Sequence, residues 1–103
     1  MSIEKYIKLR EEAFEEGCEI EFCTEKKIKN KEDLKKVIEG LTEKDEIRMS
    51  YFLYIIYIGK SEGIYCLSMS KGKKPEEVVS RKEKIEDFFN DVCRLFDEML
   101  ERS

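Results

Sequence analysis

The chain has 103 residues, a formal net charge of −4 and 43% charged side chains, a composition typical of a globular domain with a heavily solvated, acidic surface. It contains no histidine, which excludes Ser-His-Asp and Cys-His catalysis, histidine-ligated metals and the usual proton shuttle at neutral pH. Its four cysteines form no C-x-x-C pair, so they are interpreted as reduced thiols and not as zinc ligands. We therefore predict no catalytic residue, no cofactor and no metal site.

The first predicted elements are a helix and an edge strand. Apolar residues at helical spacing predict a helix over about residues 3–16, with Ser2 as its N-cap and Gly17 as its C-cap. Strict alternation over Glu19–Glu25 predicts a strand with one charged face, which is typical of a sheet edge. The N-terminus lacks a secretory signal pattern and no apolar run reaches membrane length, so we expect a soluble, cytoplasmic protein with no membrane partner.

The middle of the chain predicts a second helix and a central strand. Asn30 is the expected N-cap of the helix, and Gly40 lies near its C-cap. Its apolar stripe comprises Leu34, Val37, Ile38 and Leu41. The following stretch, Ile47–Ile58, reads IRMSYFLYIIYI and predicts one continuous, buried, central strand.

A hairpin and a long helix complete the prediction. The glycine-bounded loop Gly59–Gly63 indicates a hairpin to a strand over Ile64–Ser70. Pro75 is expected to open a long helix that runs to Glu101 with a broad apolar stripe. The element order αβαββα predicts an α+β fold in a single domain, residues 1–103. In it, a three-stranded, mainly antiparallel sheet is packed by the long C-terminal helix and two shorter helices.

Acidic residues are concentrated in two segments. Residues 11–25 hold seven glutamates and no basic residue: Glu11, Glu12, Glu15, Glu16, Glu19, Glu21 and Glu25. From Ile85 to Glu101 there are six acids and only one base, Arg94. Crowded like charges cost folding free energy, which favours a binding role for these acids. They would suit a basic surface on another protein. The net charge of −4 opposes direct binding of nucleic acid.

These patterns predict a non-enzymatic protein-binding module, an inhibitor or adaptor that docks on the basic, nucleic-acid-facing surface of a partner protein. In size, charge and lack of motifs the chain is similar to small acidic inhibitors encoded by phages and mobile elements, anti-CRISPR proteins among them. No motif carries this resemblance.

Two alternatives remain open. One is a homodimeric structural or assembly protein that uses the strand Glu19–Glu25 or an uncovered sheet face with Phe52, Tyr54 and Ile56. The other is an enzyme that works without histidine, through tyrosine, lysine or carboxylates.

In a continuous strand Tyr51 and Tyr57 share a face and Tyr54 lies on the other. Since no basic residue interleaves them, the tyrosines are interpreted as core residues and not as base-stacking platforms.

Overall fold

The computed structural model describes residues 4–9, 28, 30–51 and 53–102. In chain order these form α1 (residues 4–9), α2 (Lys31–Glu39), β1 (Glu46–Tyr51), β2 (Tyr54–Ser61), β3 (Ile64–Lys71), β4 (Glu77–Lys82) and α3 (Ile85–Arg102). The predicted strand Glu19–Glu25 and the C-terminal part of the first predicted helix lie outside the described residues.

The strands form one antiparallel sheet in the order β1-β2-β3-β4, so each strand pairs with its neighbour in the chain. The predicted α+β class is confirmed, as is the long C-terminal helix. The predicted count of three strands is wrong, because two elements of this sheet differ from the sequence prediction.

The first difference is that the stretch Ile47–Ile58 is a hairpin and not one continuous strand. β1 and β2 pair antiparallel with Tyr51 opposite Tyr54, so the chain reverses direction between these two residues. Leu53 lies in the turn and is 65% exposed. The sequence did not reveal the turn because this run has no glycine, proline, asparagine or aspartate, the residues that usually mark one.

The second difference is that a fourth strand occupies the start of the predicted last helix. That helix begins at Ile85 and not at Pro75, and β4 precedes it. β4 pairs with β3 and contains an irregularity opposite Leu67 and Ser68, where Val79 is the extra residue. β-branched Val78 and Val79 favour a strand, and no buried apolar stripe at helical spacing begins before Ile85.

The capping signals of α2 were predicted correctly. The Asn30 side chain accepts a hydrogen bond from the backbone N–H of Asp33 at 2.9 Å, and Gly40 is the C-cap. Leu34 and Ile38 are fully buried on the inner face of the helix. The helix therefore begins and ends where the sequence indicates.

The β2–β3 hairpin is confirmed, with a shorter turn than predicted. Gly59 and Lys60 continue β2, where they pair with Cys66 and Tyr65, and only Glu62 and Gly63 form the turn. Both turn residues have positive φ, 52° and 78°, as the two central positions of a type I′ turn require.

The core lies between one face of the sheet and the helices. That sheet face carries Ile47, Met49, Tyr51, Tyr54, Ile56, Ile58, Tyr65 and Leu67, all buried. Tyr65 of this face stacks on Phe88 of α3 with 5.3 Å between ring centroids, and Tyr6 of α1 packs on Phe96 of α3 at 5.2 Å. The Tyr6 hydroxyl donates to the Ser50 carbonyl oxygen at 2.7 Å, which fixes α1 against β1.

Candidate functional site

The outer side of α3 is an exposed surface with an excess of acidic side chains. The inner side of this helix is apolar and buried: Phe88, Phe89, Val92, Leu95, Phe96 and Met99. The outer side is acidic and exposed: Glu86, Asp87, Asp97, Glu98 and Glu101. Because the core holds the inner side, the orientation of the acidic side is fixed by the fold.

Local interactions explain why α3 tolerates these acids at its N-terminal end. Glu86 and Asp87 lie in the first turn, where the helix dipole favours negative charge. Glu86 also lies 4.0 Å from the Lys35 ammonium of α2, an exposed contact that contributes little to stability. The acids of the last turns gain no such support from the dipole, since the C-terminus of a helix favours positive charge.

Asp91 is the acid of α3 that serves the fold. Its carboxylate accepts a hydrogen bond of 2.5 Å from the hydroxyl of Ser80, which is buried at 9% exposure. The Arg94 guanidinium lies 3.6 Å from the other carboxylate oxygen. These contacts tie β4 to α3, so we assign Asp91 to packing and the remaining acids to the surface.

The exposed acids of α3 form two clusters. Glu86 and Asp87 lie in the first turn, and Asp97, Glu98 and Glu101 lie in the last turns, about 15 Å further along the axis. Exposed Asn90 and Arg94 lie between the clusters. A basic groove on another protein would therefore meet two acidic clusters and not a continuous row of charges.

The seven predicted glutamates of residues 11–25 lie outside the described residues, as does Phe52. Their role in binding a partner stays a prediction. Tyr54 and Ile56, predicted to lie on an uncovered sheet face, are instead buried in the core at 6% and 0% exposure. The hairpin explains this placement: β2 restarts at Tyr54 on the same face as Tyr51, and the helices cover that face.

The opposite face of the sheet has a composition that the sequence prediction missed. Tyr57 lies at its centre, partly exposed and directly opposite Arg48 of β1. Arg81 of β4 lies opposite Cys66 of β3 on the same face, and Ile55 is also partly exposed there. One basic residue, Arg48, thus lies beside Tyr57 across the strands, although no basic residue does so along the strand. The signal was hidden because the turn changes which residues share a face.

The described thiols form no disulfide; Cys66 lies on this outer sheet face, and Cys93 lies on α3 beside the core. Burial raises the pKa of the Cys93 thiol, and the charges of Asp97 and Glu4 add to that increase while Lys31 opposes it. A raised pKa keeps Cys93 protonated at neutral pH, which is the behaviour of an inert structural thiol.

Within the described residues, no group of three or more cysteine, aspartate or glutamate side chains is placed to hold a metal ion. In the same part of the chain, no helix combines the length and apolar character that a membrane crossing requires. A groove of about 450 Å³ runs between β4 and α3 and is lined mainly by polar and charged side chains, among them Arg81, Asp91 and Arg94.

Comparison with known proteins gives no match: no protein-family model, curated protein or solved structure is similar to this chain.

Proposed function

We propose that this chain is a small, acidic, non-enzymatic protein-binding module. In its most concrete form it is an inhibitor or adaptor that docks on the basic, nucleic-acid-facing surface of another protein. The observation that carries the proposal is the acidic side of α3, which is exposed, fixed in orientation by a buried inner side, and carries a cluster of acids at each end of the helix.

The proposed mechanism is electrostatic. Carboxylates on α3 accelerate encounter with a basic groove, orient the two proteins, and occupy the positions that phosphates take. Packing around this charged surface then determines how long the complex lasts. The glutamates Glu11, Glu12, Glu15 and Glu16 belong to the same proposal as a second acidic segment.

The free thiols of Cys66 and Cys93 suit a reducing compartment, so the cytoplasm is the proposed location.

Charge reversal at the C-terminal end of α3 tests the proposal. The double variant Glu98→Lys/Glu101→Lys removes two exposed acids at a helix end where lysine suits the dipole, so folding is preserved. We expect this variant to bind a partner recovered from a nuclease-treated lysate about tenfold more weakly, because each exposed interfacial charge contributes modestly. Affinity is measured by surface plasmon resonance at two or more salt concentrations.

The matched control is Glu39→Lys/Glu46→Lys. Both glutamates are exposed, both lie outside α3, and the change in net charge is the same. If only the α3 variant loses affinity and salt dependence, the acidic side of α3 is the docking surface. Equal losses in the two variants would mean that overall charge, and no particular surface, drives binding.

A further inference from the structure

The sheet face turned away from the helices, here called the outer sheet face, has a centre without charge. β2 and β3 each contribute four side chains to it, and none of them is charged, although 43% of the whole chain is. An antiparallel sheet face that meets only water usually carries polar and charged side chains. This face instead has the composition of a covered surface: Ile55, Tyr57, Gly59 and Ser61 on β2, and Ile64, Cys66, Ser68 and Ser70 on β3.

The charged side chains of the outer sheet face lie on its two edge strands. The strand pairing aligns Glu46 of β1, Gly59, Cys66 and Arg81 of β4 in one row across the sheet. Glu46 and Arg81 are thus at opposite ends of the row, and both are exposed. Within the described residues, neither takes part in an ion pair. An uncharged centre that includes a tyrosine, with charges at its rim, is typical of a protein–protein interface.

We propose that two copies of this chain pack their outer sheet faces against each other in a symmetric dimer. The two-fold axis runs parallel to the strands, between β2 and β3, with the sheets about 10 Å apart as in other stacked sheets. This axis places β1 over β4 of the second copy and keeps every residue at its own height along the strands. Glu46 therefore faces Arg81 of the second copy, and the symmetry repeats this pair of opposite charges.

Side-chain sizes fit the same axis. In each row of the two central strands, one side chain is large and its neighbour is small, as with Tyr57 beside Ser68. Because the axis places β2 over β3 of the second copy, every large side chain faces a small one. The four combinations are Ile55 with Ser70, Tyr57 with Ser68, Cys66 with Gly59 and Ile64 with Ser61.

A two-fold axis across the strands fits the charges less well. It would place β4 over β4, where the outer sheet face carries Val78 and Arg81 but no acid. Arg81 would then face a valine or a second arginine, and like charges across an interface oppose association. Only the axis parallel to the strands gives both Glu46 and Arg81 an opposite charge.

The size of the outer sheet face predicts a weak dimer. Four strands about 4.8 Å apart and roughly 25 Å long give a flat area of about 500 Å² per copy. A standard interface buries about 800 Å² per partner, so we expect a Kd of tens of micromolar. Such a dimer dissociates at the lower concentrations used to measure partner binding. It also lies on the opposite side of the sheet from α3, so either proposal can fail alone.

Charge swapping tests this packing. Sedimentation equilibrium is run on the full chain up to about 300 µM, a range in which a dimer of this affinity is detected. Wild type is expected to be mainly dimeric at the upper end. The single variants Glu46→Arg and Arg81→Glu each place like charges across the interface in two positions, and each is expected to weaken dimerisation about tenfold. Tyr57→Lys puts a charge at the centre of the face and is expected to abolish dimerisation.

Two rescues make the test specific. The double variant Glu46→Arg/Arg81→Glu restores both opposite-charge pairs and is expected to dimerise like wild type. Mixing the two single variants in equal amounts also restores them and is expected to yield a heterodimer. The control Glu39→Arg makes the same charge change at an exposed position on α2 and is expected to leave dimerisation unchanged. Circular dichroism checks that every variant is folded.

Three results would overturn the proposal. A wild type that stays monomeric would do so, whether the face is bare or covered by another segment of the chain. Single variants that dimerise like wild type would show that Glu46 and Arg81 do not face each other. A mixture of the single variants without heterodimer would exclude the axis parallel to the strands.

Discussion

Replacing Ile56 by lysine is expected to unfold the protein, whereas the same replacement at Ile55 is expected to leave it folded. Ile56 is fully buried in β2, where it lies opposite Met49 on one side and Met69 on the other. A lysine there must bury an ammonium group without a partner or give up its proton. Either outcome costs several kcal/mol, which is a large part of a typical stability of about 5–15 kcal/mol.

Ile55 provides a matched control because it is adjacent in the same strand, has the same side chain and points to the opposite face. It is partly exposed and lies opposite Ser50 and Ser70, so a lysine there can reach water. We expect a loss of about 1 kcal/mol or less. Thermal unfolding followed by circular dichroism separates the two variants. Similar behaviour of both, or greater damage at Ile55, would show that the hairpin register is wrong.

Truncating Phe96 to alanine is the second substitution with a large expected effect. Phe96 is fully buried in α3, and its ring packs against Tyr6 of α1, which in turn lies 6.2 Å from the ring of Tyr51 in β1. Phe96 thus packs α3 against α1, and Tyr6 packs α1 against the sheet. Removing it creates a cavity and ends an aromatic contact, and we expect the free energy of unfolding to fall by about 3–5 kcal/mol.

Urea unfolding of Phe96→Ala measures this loss, with Leu53→Ala as the control. Leu53 is 65% exposed in the β1–β2 turn, so its truncation is expected to change stability by no more than about 0.5 kcal/mol. A decrease below about 1 kcal/mol for Phe96→Ala would contradict the packing of α1 against α3 described above.

The sequence predicted those elements whose signals are local. The side chain of Asn30 caps α2 because a short polar acceptor is required there, and Gly40 ends the helix. The broad apolar stripe of α3 also predicts, without a structure, that this helix covers a sheet face. Each of these features depends on a few neighbouring residues, so periodicity and capping rules were sufficient.

The features that the sequence did not predict depend on contacts between distant residues. Nothing in the run around Leu53 marks a turn, and the reversal there is stabilised by pairing of Met49 with Ile56 along the whole hairpin. β4 forms because Ser80 pairs with Leu67 and donates to Asp91 of α3, two contacts far apart in the chain. Because the turn after Tyr51 was not predicted, the side chains of β2 were assigned to the wrong faces, which is why Tyr54 and Ile56 were expected on an uncovered surface.

The acidic side of α3 was partly visible in the sequence. The excess of acids from Ile85 to Glu101 was evident, but its meaning depended on which acids face solvent. The structure separates Asp91, which holds β4, from the exposed Glu98 and Glu101. The variant Glu98→Lys/Glu101→Lys uses this distinction, which composition could not supply.

Competition with nucleic acid tests the proposed docking mode most directly. A partner recovered from a nuclease-treated lysate is saturated with labelled DNA or RNA, and the full chain is titrated in while fluorescence anisotropy follows the bound label. We predict that the chain displaces the nucleic acid, that displacement weakens as salt increases, and that Glu98→Lys/Glu101→Lys displaces it about tenfold less effectively. A complex in which the partner holds the chain and the nucleic acid together would contradict the proposal.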